Sequence, residues 1–224
     1  IEGGGIDLIR VTDNGFGLSA YELPLAFERH ATSKLISVED LERIGTLGFR
    51  GEALPSIAAV AEVHLVSRTK NSEAGCEIIL KWGQIEQEGP ASSPVGTAVS
   101  VRNLFAKFPA RRKFLKSASA ESARVTDLIS RLALAFPAVA FRLKVNKKDT
   151  LYTPGNGNLL DTISCVYGPQ TSNQMMEVKS ETPDGYKIYG FISVPSYTRS
   201  NRSYITFFIG GRWVQSRILT IALE

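Results

Sequence analysis

Two glycine-containing segments, about thirty residues apart, constrain this chain more than any other feature of its sequence. The first reads Asp13-Asn14-Gly15-Phe16-Gly17, and the second is the run GFRGEAL over residues 48–54. An ionised carboxylate only accepts hydrogen bonds, so Asp13, as a buried type of carboxylate, suits an exocyclic amine such as that of adenine. A glycine-rich approach to a helix leaves backbone N–H groups that bind phosphate. Together the two segments can hold both ends of a nucleotide.

Local sequence places each segment at the end of a regular element. Residues 6–11 alternate as a strand does, and the turn formers at residues 13–15 end it. Residues 52–63 predict a helix, because Leu54, Ile57, Ala58 and Ala61 recur at helical spacing and Pro55 falls near the start. Neither G-x-x-x-x-G-K-[ST] nor a G-x-G-x-x-G between strand and helix occurs, so a nucleotide binds by another scheme. A plain surface turn remains the alternative for residues 13–15 taken alone.

Three longer runs carry a family resemblance. They read DNGFGLSAYELPLAFERHATSKL, GTLGFRGEALPSIAAVAEV and VGTAVSVRNLFAKFPARRKFL. In these runs the chain resembles the N-terminal ATPase region of the MutL mismatch repair proteins, which belong to the GHKL class of ATPases. The resemblance implies an α+β fold, in which an incomplete GHKL-type α/β sandwich over residues 1–155 precedes a smaller α+β domain over residues 156–224. That second domain resembles the ribosomal-protein-like domain of MutL.

The resemblance also implies a nucleotide site. It assigns the adenine amine to Asp13, the shape of the base pocket to Gly15 and Gly17, and an assisting role at the adenine end to Thr97. Thr32, Ser33 and Lys34 would lie in or beside a lid over the nucleotide. The phosphates would be cradled by the segment Gly48, Phe49, Arg50, Gly51, Glu52, Ala53 and Leu54. Arg50 suits a phosphate or a carboxylate that locks the lid, and both alternatives stay open.

The implied cofactors are ATP and Mg²⁺, yet the resemblance assigns no catalytic residue and no metal ligand to this chain. In the family, the glutamate that activates water and the asparagine that binds the metal lie on a helix upstream of the strand that leads into DNG. The chain begins at Ile1 within that strand. We therefore expect the parent protein to hydrolyse ATP and this stretch alone to be inactive. A phosphate-contacting lysine of the family is likewise expected beyond Glu224.

Charge is unevenly distributed along the chain. The formal net charge is +4, but residues 102–148 contain twelve Lys and Arg against two acids, and residues 199–217 contain four arginines and no acid. Such asymmetry indicates an anionic partner. We take Arg111, Arg112 and Lys113, and then Arg212 and Arg217, as candidate contacts to the DNA backbone. The alternative is a solvated loop whose aromatic residues, Phe105, Phe108 and Phe114, belong to the core.

The other expectations follow from composition and from the family. Two distant cysteines and two isolated histidines predict neither a disulfide framework nor a metal site. The absence of a long apolar run or secretory signal favours a cytoplasmic protein, nucleoid-associated in bacteria or nuclear in eukaryotes, with no membrane partner. The resemblance adds other mismatch repair proteins as partners and a homodimer through the ATPase region when ATP is bound. Two functional alternatives stay open: a DNA-binding scaffold with a vestigial nucleotide pocket, and another GHKL ATPase.

Overall fold

The computed structural model describes residues 1–28 and 51–223 of the 224-residue chain. The chain divides into two compact units. The first comprises Ile1–Ala123 with Val145–Lys147, and the second comprises Arg124–Lys144 with Lys148–Glu224. The predicted domain boundary after residue 155 stays a prediction. In the described part of the chain, no helix combines the length and the apolar character that a membrane crossing needs.

The first unit is built on one antiparallel sheet of five strands in the order β1-β5-β2-β3-β4. These strands are β1 (Leu8–Asp13), β2 (Glu62–Arg68), β3 (Gly75–Lys81), β4 (Gln84–Ala91) and β5 (Gly96–Arg102). The described helices of this unit are a 3-10 turn at Gly3–Gly5, α1 (Glu22–Leu25), α2 (Ala53–Ala58) and α3 (Pro109–Arg112), and α4 (Ala118–Ala135) begins here.

One face of this sheet forms the hydrophobic core. Side chains alternate between the two faces of a strand, and in β2 every second residue is buried. The register brings Val63, Leu65 and Ser67 of β2 opposite Leu80, Ile78 and Cys76 of β3. Leu23 of α1 and Ala58 of α2 belong to the same buried cluster. The helices therefore cover the face whose apolar residues the alternating pattern predicts.

Ser19-Ala20-Tyr21-Glu22 has the sequence pattern S-x-x-E, which predicts a capping box at the start of a helix, and it leads into α1. The Ser19 amide donates to Glu22 Oε2 at 2.8 Å, the Ser19 hydroxyl donates to the same oxygen at 2.7 Å, and the Glu22 amide donates to Ser19 Oγ at 3.4 Å. These hydrogen bonds lower the pKa of Glu22, the backbone bond from Ser19 being the largest cause. The sequence pattern S-x-x-E is thus confirmed as a reciprocal cap.

One prediction for the first unit is wrong, and one strand of this unit was missed. Helix α2 ends at Ala58 rather than extending to residue 63, because Glu62 and Val63 pair in β2. Strand β4 was not predicted, since its sequence QIEQEGPA is polar, contains both glycine and proline, and lies at the edge of the sheet. The turn that precedes it uses Trp82 and Gly83 with φ of 54° and 84°, and tryptophan is not a turn signal.

The second unit contains three two-stranded antiparallel sheets and several helices. Its strands are β6 (Arg142–Val145), β7 (Lys148–Tyr152), β8 (Met175–Glu181), β9 (Lys187–Ser193), β10 (Phe207–Ile209) and β11 (Arg212–Val214). Strand β6 pairs with β7, β8 with β9, and β10 with β11. Its helices are the end of α4, α5 (Leu159–Tyr167), α6 (Pro169–Ser172), a 3-10 turn at Arg202–Tyr204 and α7 (Arg217–Leu223).

Turn chemistry explains where these elements begin and end. The Asn158 side chain accepts hydrogen bonds from the amides of Leu160 and Asp161 and so caps α5, and Gly168 ends this helix with φ of 91°. The adjacent glycines Gly210 and Gly211 predict a two-residue hairpin turn, and both have positive φ in the turn that they form between β10 and β11. The second unit therefore has the α+β character that the sequence predicts, with more helices than one.

Candidate functional site

A row of polar residues crosses the sheet at one end of its apolar face. Asp13 of β1 lies opposite Thr97 of β5, Thr97 lies opposite Ser67 of β2, and Ser67 lies opposite Cys76 of β3. Directly paired residues of an antiparallel sheet project to the same face, so the four side chains form one line. Exposure rises along it, because Ser67 and Cys76 are buried, Thr97 is half-buried and Asp13 is exposed.

The carboxylate of Asp13 is held by two backbone amides. The Gly15 amide donates to Asp13 Oδ1 at 2.9 Å, and the Thr97 amide donates to the same oxygen at 3.2 Å. Among the described residues, Asp13 Oδ2 has no hydrogen-bond partner, so it remains an acceptor for another group. The expectation of a buried type of carboxylate is corrected, because Asp13 is exposed at the end of the edge strand β1.

Two glycines let backbone segments pack closely at this end of the sheet. Gly17 has φ of +73°, and a Cβ built there would lie 2.1 Å from the carbonyl oxygen of Arg68. Gly96 has φ of +116°, and its Cβ would lie 2.1 Å from the carbonyl oxygen of Asp13. Both positions exclude any side chain, for conformational and for steric reasons. Gly15 serves differently, since its amide fixes the carboxylate.

Ser67 joins these elements and was not singled out from the sequence. Its hydroxyl accepts a hydrogen bond from the Leu18 amide at 2.7 Å, donates to the Gly96 carbonyl at 3.0 Å and lies 2.9 Å from Thr97 Oγ1. The side chain is fully buried. The alternation of β2 offered a signal, because Ser67 continues the buried positions of Val63 and Leu65, where a hydroxyl requires partners.

The second glycine segment packs on the same core as the first. Leu18, which follows Gly17, and Leu54 and Ile57 of α2 all contact the buried cluster that covers the sheet. Gly51 has φ of +62° and precedes α2, whose first-turn amides lack intrahelical partners as in every helix. Thr32, Ser33, Lys34, Gly48, Phe49 and Arg50 lie outside the described residues. Their predicted roles stay predictions.

The first basic cluster lies on the surface. Arg111, Arg112 and Lys113 are all exposed at the end of α3. The Arg111 guanidinium lies 5.6 Å from the centre of the Phe108 ring, a cation–π contact. Phe114 is 87% exposed, so the alternative in which all three aromatic residues belong to the core is wrong for this one. In the part of the chain that the structure describes, none of the three basic side chains forms an ion pair.

The second set of basic candidates differs in exposure. Arg212 is half-buried in β11, whereas Arg217 is exposed at the first residue of α7. Beside them, the Arg131 guanidinium lies 3.7 Å from the centre of the Trp213 ring and also bonds Asp127 Oδ2 at 2.7 Å. Arg131 therefore stabilises the packing of the second unit, while Arg217 is available to an external anion.

The cysteines and histidines form no metal site in the described segments. Within residues 1–28 and 51–223, no group of three or more His, Cys, Asp and Glu side chains is placed to hold a metal ion. His64 instead forms a 2.7 Å hydrogen bond with Glu77. Both cysteines are free thiols, and burial raises the pKa of Cys76.

Comparisons with known proteins find relatives over the whole chain. A family model described as "DNA mismatch repair protein, C-terminal domain" matches residues 163–224. The DNA mismatch repair protein MutL of Pelotomaculum thermopropionicum is 46% identical over the whole chain, and MutL of Pediococcus pentosaceus is 43% identical over 96% of it. The chain spans 37% and 33% of these two relatives, about a third of their length.

A solved structure also has a similar fold. The Aquifex aeolicus MutL ATPase domain complexed with ADP matches with a TM-score of 0.72 and 32% identity, covering 100% of this chain and 76% of that one. The α+β fold class and the resemblance drawn from the three sequence runs are thereby confirmed.

Proposed function

Because this chain belongs to the MutL family of DNA mismatch repair proteins, we propose that it is the nucleotide-binding region of an ATP-operated switch in mismatch repair. The observation that carries the proposal is the Asp13 carboxylate, whose Oδ1 accepts from two amides while Oδ2 has no partner in the part of the chain that the structure describes. The Aquifex aeolicus MutL ATPase domain described above is complexed with ADP. We extend that ligand class to this chain as ATP.

The adenine end of the site fits the chemistry of the residues present. Asp13 Oδ2 accepts a hydrogen bond from the exocyclic amine, and Thr97 supplies a second polar group at the same end. Gly15 and Gly17 keep side chains away from the face of the base. This assignment is supported by the packing at Gly96, where the absence of a side chain lets β5 approach the backbone of Asp13 and so fixes the position of its carboxylate.

The phosphate end is assigned to the segment that leads into α2. Gly51, Glu52, Ala53 and Leu54 belong to the described part of that segment, and their amides are proposed to face the phosphates. Mg²⁺ would neutralise phosphate charge when bound. The described residues do not provide a ligand set for it, so no metal ligand is assigned to them.

The switch itself rests on the family. We propose that the bound nucleotide orders the segment that contains Thr32, Ser33 and Lys34, and that two ATPase regions then associate. Attack of water on the γ-phosphate would reset the switch, with catalysis through positioning and charge stabilisation. DNA and other mismatch repair proteins would be engaged in the ATP-bound state. The two MutL relatives described above come from bacteria, and we propose that this protein acts at the bacterial chromosome.

DNA binding is assigned first to Arg111, Arg112 and Lys113. Their exposure and their lack of ion-pair partners among the described residues fit contacts to backbone phosphates, which need no base code. Arg212 and Arg217 are the second candidates. The same exposed cluster also favours one alternative function, a DNA-binding scaffold whose nucleotide pocket is vestigial.

DNA affinity with and without ATP separates these two functions. The full-length protein would be titrated onto a fluorescent duplex over a salt series, in the presence and in the absence of ATP. The switch predicts that ATP changes the affinity at each salt concentration. Superimposable curves would support the scaffold instead, and an affinity that does not fall with salt would reject both functions, since backbone contacts release counterions.

A further inference from the structure

The Ser67 hydroxyl has three hydrogen-bonding neighbours but only one hydrogen. The Leu18 amide lies 2.7 Å from Ser67 Oγ, the Gly96 carbonyl oxygen lies 3.0 Å away, and Thr97 Oγ1 lies 2.9 Å away. The side chain is fully buried. The direction of each hydrogen bond is therefore set by the chemistry of the partners.

Assigning the protons fixes the Thr97 hydroxyl. An amide only donates and a carbonyl only accepts, so the single Ser67 hydrogen goes to Gly96 and the Leu18 amide donates to Ser67. Thr97 must then donate its own hydroxyl hydrogen to Ser67 Oγ. Thr97 Oγ1 keeps only lone pairs for any further partner.

Asp13, the neighbour of Thr97 in the same row, also offers only hydrogen-bond acceptors. Its Oδ1 already accepts from the Gly15 and Thr97 amides, and Oδ2 is an acceptor without a partner among the described residues. Among residues 1–28 and 51–223, the exposed end of the row therefore presents two acceptors and no side-chain donor. An exocyclic amine complements this end, whereas a carbonyl oxygen in the same place meets acceptors only.

We propose that Ser67 is a positioning residue, which holds the Thr97 hydroxyl as an acceptor and thereby makes the site select a 6-amino purine over a 6-oxo purine. This inference rests on the proposed function, since it takes nucleotide binding at Asp13 as given. Ser67 itself does not touch the base. It acts through Thr97 and through the backbone of Leu18 and Gly96.

Comparing ADP with inosine diphosphate tests the proposal directly. The two ligands share the ribose and phosphates and differ in the amine or carbonyl at position 6 and in the proton at N1. We measure the preference as the ratio of the affinity for ADP to the affinity for inosine diphosphate. In calorimetric titration of the full-length protein, Ser67→Ala is expected to reduce this ratio by about five- to tenfold, the effect of one reoriented hydrogen bond. In that variant the Thr97 hydroxyl is free to donate to the carbonyl.

A double-mutant cycle separates positioning from general damage. Thr97→Val removes the hydroxyl, so it should itself narrow the preference, and adding Ser67→Ala to it should narrow the preference no further. The proposal would be overturned if Ser67→Ala lowered the affinities for ADP and inosine diphosphate equally. It would also be overturned if Ser67→Ala reduced the ratio of the two affinities as much in the Thr97→Val protein as in the wild type.

Folding of the variants is controlled by thermal melting. Ser67→Cys keeps the volume of the side chain with weaker hydrogen bonds and replaces Ser67→Ala if the latter does not fold. If neither folds, the comparison of Thr97→Val with the wild type decides, and an unchanged preference overturns the proposal. A wild-type protein that binds no ADP would reject the proposed function, which is a different outcome.

Discussion

Gly96 lies so close to the backbone of Asp13 that a Cβ at position 96 would be 2.1 Å from the Asp13 carbonyl oxygen. This contact lies between β1 and β5, one residue before Thr97 pairs with Asp13. The position of the carboxylate therefore depends on the absence of a side chain in the neighbouring strand.

Replacing Gly96 by alanine should displace Asp13. We expect the Gly96→Ala protein to lose roughly 2–4 kcal/mol of unfolding free energy, from the unfavourable φ and the backbone collision together. ADP affinity should fall along with it, because β1 must move away from β5. Urea unfolding and calorimetric titration measure the two effects.

Gly157→Ala is the matched control for that change. Gly157 also has positive φ, +79°, but a Cβ there meets nothing within 4 Å. Gly157→Ala should lower the unfolding free energy by only about 1 kcal/mol, the conformational penalty alone, and leave ADP affinity unchanged. Equal losses in the two variants would contradict the steric account of Gly96.

The sequence predicted those parts of the fold that depend on local patterns. The alternation of β2 and β3, the capping box at Ser19, and the glycine turn between β10 and β11 are all short-range signals, and each is present in the structure. Strands β4 and β8 were not predicted, because polar edge strands and exposed hairpins lack apolar alternation.

The candidate site was predictable only in part for a related reason. A turn motif predicts Asp13 and Gly17 as site residues, and the family resemblance predicts Thr97. Ser67 lies in the middle of a strand, and its importance arises from partners on three other segments, at Leu18, Gly96 and Thr97. No local pattern specifies such long-range hydrogen bonds; only the register of the sheet brings these residues together.

The capping box at Ser19 should give a pH-dependent contribution to stability. Ser19→Ala is expected to cost about 1 kcal/mol at pH 7. The pKa of Glu22 is lowered in the folded protein, so the contribution of its carboxylate is present above the unfolded pKa and lost as pH falls through the folded one. In urea unfolding, Ser19→Ala should therefore lower the unfolding free energy by less at pH 3 than at pH 7.

A serine in an exposed strand provides the control for the capping box. Ser180 is exposed in β8, and Ser180→Ala should change the unfolding free energy little at either pH. A Ser19→Ala cost that is the same at pH 7 and pH 3 would show that the Glu22 charge does not contribute.

Removing the basic cluster of α3 should weaken DNA binding and its salt dependence together. If Arg111, Arg112 and Lys113 each contact a phosphate, changing all three to alanine makes the slope of log affinity against log salt less steep by about 2.7. Fluorescence anisotropy between 50 and 200 mM salt, roughly the range over which such contacts weaken, measures this change.

A second triple variant controls for net charge. Lys70, Lys147 and Lys179 are exposed and carry the same total charge as the α3 cluster. If their replacement by alanine changes the slope as much, DNA responds to the overall charge and the cluster at α3 has no special role. The same experiment on Arg212 and Arg217 ranks the second pair of candidates.

The two thiols should react at very different rates. Cys165 is exposed, whereas Cys76 is buried beneath Leu18, with Sγ 3.6 Å from the Leu18 carbonyl oxygen. Burial raises the pKa of Cys76 and so lowers its thiolate fraction. A disulfide exchange reagent at pH 8 should modify Cys76 more than about tenfold more slowly than Cys165. Cys165→Ser isolates the slow phase, and in urea both thiols should react alike.

Asp13→Asn gives the most direct test of the nucleotide site. The asparagine oxygen can still accept from the Gly15 and Thr97 amides, so the turn should keep its structure and the melting temperature should change little. The side-chain NH₂ then replaces Oδ2 and presents a donor to the donor amine of adenine. Loss of a charge-assisted hydrogen bond, together with this mismatch, should lower ADP affinity by about 100-fold or more. Asp184→Asn, an exposed turn residue, is the control and should bind ADP like the wild type. Unchanged affinity in Asp13→Asn would remove Asp13 from the adenine role and leave the polar row of the sheet without an assigned ligand.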